Sequence, residues 1–230
     1  MKLGRILLPG VLLALVHCPA LAQDQKLVPV APYLAAAPSS GYWTITLQHP
    51  STLGSDGVPA PAIPPRSDEP LTIDTIQSGG ISRVMLNFHN APPVQIDRKG
   101  DYYIRQTSTG VRLFGTANGT LSFFAVDNGF LFAEWVRQEG AAAFQKVVQY
   151  EGVTCFYYKN PTPETQKDPR NGQEAWIDVH TLLPVAARND GIEADFQFHA
   201  PPTSPPQLSP EETRMIQARE NALQIESSIR

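Results

Sequence analysis

Residues 192–199 read Ile-Glu-Ala-Asp-Phe-Gln-Phe-His and decide the fold class of this chain. Apolar and polar residues alternate strictly along them, and the apolar set is Ile192, Ala194, Phe196 and Phe198. Successive side chains of a β-strand point to opposite faces of a sheet, so this period of two predicts a strand with one buried face. Half-buried strands of this kind are typical of antiparallel sheets.

The same alternation occurs in two earlier segments. In residues 42–48 the apolar positions are Trp43, Ile45 and Leu47, and in residues 82–88 they are Val84, Leu86 and Phe88. Both segments therefore predict further strands of the same type.

Turn residues separate these segments from their neighbours. The pair Asn118-Gly119, between residues 111–117 and 120–126, is a strong signal for a β-hairpin. Strands recur about every 8–12 residues, which is typical of a sandwich, a barrel or a curved sheet. We therefore predict one mostly β domain over residues 42–199, formed by a single curved antiparallel sheet or half-barrel and followed by a C-terminal α-helix.

The C-terminal helix is predicted over residues 209–229. Ser209 is a good N-cap, Pro210 suits the first helical position, and Glu212 completes a capping box. An apolar stripe recurs at helical spacing and consists of Met215, Ala218, Ala222, Ile225 and Ile229. We expect this stripe to dock on the sheet; the alternative is an independent arm, because the connector 200–208 is rich in proline.

The first 22 residues have the pattern of a secretory signal peptide. Lys2 and Arg5 precede an apolar run, and Ala20-Leu21-Ala22 fits a cleavage site. We expect export, to the periplasm or by secretion, with cleavage after Ala22. The alternative is a lipoprotein anchored at Cys18. Residues 23–41 are rich in proline and alanine and are predicted to form a flexible tail.

Composition and charge exclude several classes of protein. The chain has 230 residues, of which 42% are hydrophobic, and a formal net charge of −4, which becomes −6 without the basic leader. The hydrophobic content is too high for a disordered chain, and the acidic balance argues against a nucleic-acid partner. After the leader no apolar run approaches the roughly 20 residues that span a bilayer, so we predict no transmembrane span.

Motifs of common catalytic sites are absent from the sequence. There is no Gly-x-Ser-x-Gly elbow, no His-Glu-x-x-His and no Walker-type loop. The histidines after the leader lie too far apart in sequence for a local metal pair. We therefore predict a non-enzyme without cofactor or metal. The alternative is a secreted hydrolase whose site would gather distant residues, namely His89, Cys155, Asp178 and His180.

Aromatic residues mark a candidate surface for a ligand or a partner. Adjacent ring-bearing residues, such as Tyr102-Tyr103 and Phe123-Phe124, place bulky groups on both faces of the predicted sheet. The second face must then be covered by the C-terminal helix, by a short helical segment at residues 130–138, by a partner or by a ligand. The predicted surface consists of Tyr103, Phe124, Phe156 and Tyr158.

Residues 174–185, Glu-Ala-Trp-Ile-Asp-Val-His-Thr-Leu-Leu-Pro-Val, resemble the Trp-Ile-Asp-x-x-Thr-Gly-Leu-Pro hairpin of LolA-like proteins. In such a hairpin Trp176 and Asp178 share a strand face, the aspartate caps the turn, and Pro184 opens the return strand. The family comprises periplasmic lipoprotein carriers and their outer-membrane relatives. The resemblance implies a half-barrel whose concave apolar side is covered by helices and holds acyl chains.

These observations predict an exported, non-catalytic protein that binds a hydrophobic, lipid-like ligand or an envelope protein. The alternative is a structural or surface-interaction protein with proline-rich arms, and the hydrolase is the third possibility. A groove on the covered face of the sheet would favour the first interpretation.

Overall fold

The structure, a computed structural model, describes residues 27–49, 69–107, 110–115, 130, 132–160, 172–189 and 191–228. Within these residues eleven strands form one open sheet in which every neighbouring pair is antiparallel. A long helix follows the last strand. The predicted mostly β fold with a C-terminal helix is therefore confirmed.

The strands in chain order are β1 (Gly41–Gln48), β2 (Pro70–Ser78), β3 (Ile81–Phe88), β4 (Val94–Lys99), β5 (Tyr102–Thr107), β6 (Gly110–Gly115), β7 (Phe144–Tyr150), β8 (Val153–Asn160), β9 (Gln173–Asp178), β10 (Pro184–Asn189) and β11 (Ile192–His199). The helices are α1 (Trp135–Glu139), which continues into a 3₁₀ turn, and α2 (Pro210–Ser228). Helix α1 overlaps the segment 130–138, for which a short helical turn is predicted, and ends one residue beyond it.

The alternating segments become strands with nearly the predicted bounds. β11 matches the prediction, while β1 and β3 each begin one residue earlier. The segment predicted at 111–117 forms β6, which ends at Gly115. The Asn118-Gly119 hairpin, the segment 120–126, the signal peptide and Cys18 lie outside the described residues.

The strand order is β6-β5-β4-β3-β2-β1-β11-β10-β9-β8-β7. The chain starts in the middle of the sheet, steps outward to β6, continues at β7 and steps back to the middle. Strands β1 and β11 therefore pair at the centre, with Trp43 opposite Phe198 and Ile45 opposite Phe196. This central pair joins the first and last strands of the domain.

One face of the sheet, called here the inner face, carries the hydrophobic core. Its buried side chains come from strands on both sides of the centre, including Trp43, Ile45, Ile73, Val84, Leu86, Ile96, Tyr103, Phe156, Tyr158, Ile177, Ala187, Ala194 and Phe196. Two segments outside the sheet pack against this face: residues 33–37, and Phe130 with residues 132–136. We call these two segments the cover.

The first part of the cover differs from the predicted flexible tail. Residues 27–40 contain no strand or helix, but Leu34 is fully buried in the core. The amide N–H of Ala35 donates a hydrogen bond of 2.8 Å to the carbonyl oxygen of Leu182. Burial of one leucine and this bond fix the segment to the sheet, because full burial of such a side chain stabilises by about 1.5–3 kcal/mol.

Helix α2 begins with the predicted capping box. The Glu212 backbone N–H donates to Ser209 Oγ at 3.2 Å, and the Ser209 N–H donates to Glu212 Oε2 at 2.6 Å. The first turns lie on the outer face of the sheet, where Gln106 Nε2 donates to Glu212 Oε1 at 2.7 Å. Arg83 Nη2 donates to the carbonyl oxygen of Gln207 at 2.8 Å and thereby fixes the preceding connector.

The sequence predicts that α2 docks on the sheet through its apolar stripe. This prediction is wrong for most of the stripe. Within the described helix the buried residues are Glu212 and Ile216, whereas Ala218 is exposed and Ile225 is 60% exposed. The contact is made by the first two turns because Glu212 reaches polar partners on the sheet. Beyond Ile216 the described residues of the helix are exposed, except Ala222, which is half-buried.

Candidate functional site

The structure places three of the four predicted surface residues in the buried core. Tyr103 in β5 and Phe156 and Tyr158 in β8 all lie on the inner face, at 4%, 5% and 0% exposure. Phe124 lies outside the described residues. The predicted rings thus form one apolar face, but the cover separates this face from solvent.

Aromatic rings from the cover and the sheet pack against each other at short range. The ring centroid of Phe130 is 6.0 Å from those of Trp43 and Phe196, the latter in an edge-to-face arrangement. Phe144 makes similar contacts with Phe156 and Tyr158 at 5.9 and 6.0 Å. Such pairs contribute about 0.5–1.5 kcal/mol beyond the burial of their area.

Polar connections hold the cover in place at few points. Arg137, which directly follows the second segment of the cover, donates from Nη2 to the carbonyl oxygen of Ala35 in the first segment at 2.6 Å. Gly140 follows α1 with φ of 50°, and a Cβ atom there would lie 2.5 Å from the Tyr33 ring. Glycine is required at this position because both the backbone conformation and the close ring exclude a side chain.

Five buried polar atoms around the inner face lack a hydrogen-bond partner within the described structure. They are Trp43 Nε1, Thr75 Oγ1, Gln77 Oε1, Trp135 Nε1 and Tyr158 Oη. Trp43 and Thr75 are direct cross-strand neighbours in β1 and β2. Burial also raises the pKa of Tyr158, so its hydroxyl stays protonated and remains a donor. Buried polar groups are normally paired, and an unpaired one costs about 1–3 kcal/mol.

A polar and aromatic cluster on the outer face was not predicted. The rings of Tyr150 and Tyr157 lie 4.8 and 5.4 Å from the Trp176 ring. Tyr157 Oη donates to Glu174 Oε1 at 2.8 Å, and Arg188 pairs with both Glu174 and Glu193. Its groups satisfy one another, so the cluster is a structural element of the sheet. The sequence signal that could have indicated this cluster was the polar set of alternating residues in β11, which includes Glu193.

The residues of the alternative hydrolase do not form a nucleophile and base pair. Cys155 lies opposite Asp178 across β8 and β9, and burial, followed by the Asp178 charge, raises the pKa of its thiol to about 11. Asp178 Oδ1 accepts the backbone N–H groups of His180 and Thr181 at 2.7 and 3.3 Å. The aspartate therefore caps the turn as predicted, and Pro184 opens β10.

His89 follows β3, on the other side of the central pair from β8 and β9. Among the described residues no group of three or more His, Cys, Asp or Glu side chains could hold a metal ion. In the same part of the chain, no helix is long and apolar enough to cross a membrane.

No protein-family model matches the chain, and no curated protein is significantly similar to it in sequence. The inner face is the candidate site because it combines a large apolar surface, a cover that is separate from the sheet, and unpaired polar atoms.

Proposed function

We propose that the protein is an exported, non-catalytic protein that binds a hydrophobic, lipid-like ligand between the inner face and the cover. The observation that carries this proposal is the group of five buried polar atoms on the inner face that have no partner among the described residues. Buried indole N–H and phenol groups are normally paired, and a ligand oxygen would supply the acceptors that these groups lack among the described residues.

Exchange of the cover for a ligand is energetically feasible. Leu34, Phe130 and Val136 are the most buried large side chains of the cover, and each gains about 1.5–3 kcal/mol from burial. An apolar chain that takes their place buries the same inner face, so the cost of opening is largely offset. Among the described residues few hydrogen bonds join the cover to the rest of the domain, and the bond from Ala35 to Leu182 is one that would have to break.

The unpaired atoms also suggest what the ligand carries. Trp43 Nε1 and Trp135 Nε1 are donors, and the Thr75 and Tyr158 hydroxyls can donate as well. An ester, amide or carboxyl oxygen on the ligand would accept these bonds. The resemblance to LolA-like proteins, whose characterised members hold acyl chains, supports the same class of ligand.

The test is a titration of the native chain with the uncharged fluorescent probe N-phenyl-1-naphthylamine. We expect saturable binding to the native chain and binding about tenfold tighter by Phe130→Ala, because the smaller side chain lowers the cost of displacing the cover. Ile104→Ala is the matched control, since Ile104 is fully buried but lies on the outer face. It should lower the melting temperature without changing probe affinity.

Absence of saturable binding to the native chain would contradict the proposal, even if Phe130→Ala binds the probe in the space that the substitution creates. Equal affinity gains in Phe130→Ala and Ile104→Ala would also contradict it, because general loosening would then explain the effect.

The exposed half of α2 favours a second candidate function, attachment of a partner protein. Leu223 and Ile225 are 41% and 60% exposed, and Ile225 belongs to the predicted apolar stripe. A chain that ends at Ala222 removes both side chains and keeps the docked turns. Each chain is mixed with a candidate partner protein, and the mass of the species in solution is measured by light scattering. A complex with the full chain but none with the shortened chain would support this candidate.

A further inference from the structure

A small cavity opens at the end of the sheet where β2 turns into β3 and β4 turns into β5. Its volume is about 340 Å³, and it is lined by Gln77, Gly80, Ile81, Ser82, Arg98 and Gly100. Gly79 and Gly80 form the first turn, both with positive φ, and Gly100 lies in the second. The cavity therefore lies between two neighbouring hairpin turns.

The side chains that line this cavity continue the inner face. Gln77 is the cross-strand neighbour of Ser82, and Ser82 is the neighbour of Arg98. Two positions deeper along the same strands lie Thr75, Val84 and Ile96, all buried. The cavity is thus the polar end of the apolar face described above.

The chemistry of the cavity suits an anionic group. Arg98 supplies a positive charge, and none of the six lining residues is a carboxylate. The Arg98 guanidinium lies 5.4 Å from the centre of the Tyr103 ring, and its Nε donates to the carbonyl oxygen of Gly100 at 3.3 Å. These contacts hold the guanidinium at the rim, where its planar group of donors matches a carboxylate or phosphate.

Gln77 adds an unsatisfied polar group beside this charge. Its side-chain Oε1 is buried without a hydrogen-bond partner. Rotation of the amide presents either its oxygen or its NH₂ group to a ligand, so it can accept from a hydroxyl or donate to an anionic oxygen. Ser82 contributes a hydroxyl in the same row.

The polarity changes in one direction along β3. The inner-face positions run from Ser82 at the cavity through Val84 and Leu86 to Phe88, a distance of about 20 Å at the usual rise of a strand. An extended chain with a polar head at Ser82 would therefore lie along apolar side chains for its whole length.

We propose that this cavity binds the anionic head of a long-chain amphiphile whose chain occupies the inner face. Arg98 pairs with the anionic oxygen, while Gln77 and Ser82 supply hydrogen bonds. This inference rests on the proposed function, because it names the class of ligand that the inner face takes.

The test uses the full chain and competition against bound N-phenyl-1-naphthylamine. The competitors are oleate and oleyl alcohol, which share one chain and differ in the charge of the head; lysophosphatidylglycerol distinguishes a phosphate head from a carboxylate. The variants are Arg98→Gln, which removes the charge at the cavity, and Arg219→Gln, which removes an exposed charge on α2. Melting temperatures establish that both variants fold.

We expect the native chain and Arg219→Gln to bind oleate at least tenfold more tightly than oleyl alcohol, equivalent to about 1.4 kcal/mol. Arg98→Gln should lose this preference while its affinity for oleyl alcohol stays unchanged. A stronger preference for lysophosphatidylglycerol would assign the head as a phosphate, within the same proposal.

Equal affinity of the native chain for oleate and oleyl alcohol would overturn the head-group site and leave the proposed function intact; this comparison needs no variant. A preference for oleate that persists in Arg98→Gln would also overturn it. Failure of both competitors and of the probe to bind would overturn the proposed function itself.

Discussion

The docking of helix α2 predicts that two C-terminal truncations, one that removes the docked turns and one that keeps them, have very different effects on stability. A chain that ends at Pro206 loses Ile216, which is 6% exposed, together with the capping box and the bond from Gln106 to Glu212. A chain that ends at Ala222 loses Leu223 and the residues after it, which are exposed throughout the described part of the helix.

The magnitude follows from these contacts. Burial of one isoleucine contributes about 1.5–3 kcal/mol, and an N-cap contributes about 1 kcal/mol. We therefore expect truncation after Pro206 to lower the free energy of unfolding by about 3 kcal/mol. For a domain of this size that corresponds to a fall in melting temperature of roughly 6–12 °C.

Thermal unfolding followed by circular dichroism measures both effects. The chain that ends at Ala222 is the control and should melt within about 2–4 °C of the full chain, a difference equivalent to about 1 kcal/mol. Equal melting temperatures for the full chain and the chain ending at Pro206 would refute the argument, because the first turns would then contribute no net stability. A large loss in the control would show that the exposed half is stabilising.

Two further predictions concern buried ionisable groups. Cys155 should be unreactive toward a thiol reagent at pH 8 in the folded chain and fully reactive in denaturant, because burial raises the pKa of its thiol to about 11; rapid reaction of the folded chain would contradict this. Burial opposes ionisation of Glu212, but hydrogen bonds from Gln106 and Ser209 outweigh it and lower the pKa of the carboxyl below 4.5. The stabilisation from its charge is therefore present above pH 4.5 and is lost as the pH falls through the lowered pKa. Glu212→Gln should lower the melting temperature at pH 7, and the difference from the native chain should shrink as the pH falls through the lowered pKa of Glu212; a constant difference would refute the assignment.

The fold was predictable from sequence because strand alternation is a local signal. Burial alternates along β1 and β11 as the apolar residues of 42–48 and 192–199 indicate. The capping box of α2 is equally local, since Ser209 and Glu212 satisfy each other within one turn. Features of this kind need no knowledge of distant parts of the chain.

The docking of α2 was not predictable in the same way. The apolar stripe suggested contact along the whole helix, but the contact depends on Gln106 and Arg83, which lie on other strands. Strands β4 and β5 bury residues on both faces here: Ile96 on the inner face, and Asp97 and Ile104 on the outer face. Asp97 pairs with Arg83 at 2.7 Å, a pair set by strand register, and also accepts a hydrogen bond from Gln95.

The candidate site also has features that the sequence indicates locally and features that depend on distant parts of the chain. Tyr103, Phe156 and Tyr158 were identifiable as aromatic residues of strands, but their common face follows from a register that joins distant segments. The cover was only half predicted, because Leu34 lies in a segment whose proline content suggested a tail. The unpaired atoms are invisible in sequence, since a missing partner is a property of the whole packed core.

The central pairing of β1 with β11 has a consequence for how the domain assembles. Within β1–β6, and likewise within β7–β11, each strand pairs with the next strand along the chain. The central pair is different, because Thr44 and His199, which hydrogen-bond across it, are 155 positions apart. Local pairings form at little entropic cost, and long-range ones come late. The two halves should therefore take shape as separate meanders and join along this one ladder. Until β11 is available the core stays open at its middle, so a nascent chain cannot complete the domain before nearly all of it has been made.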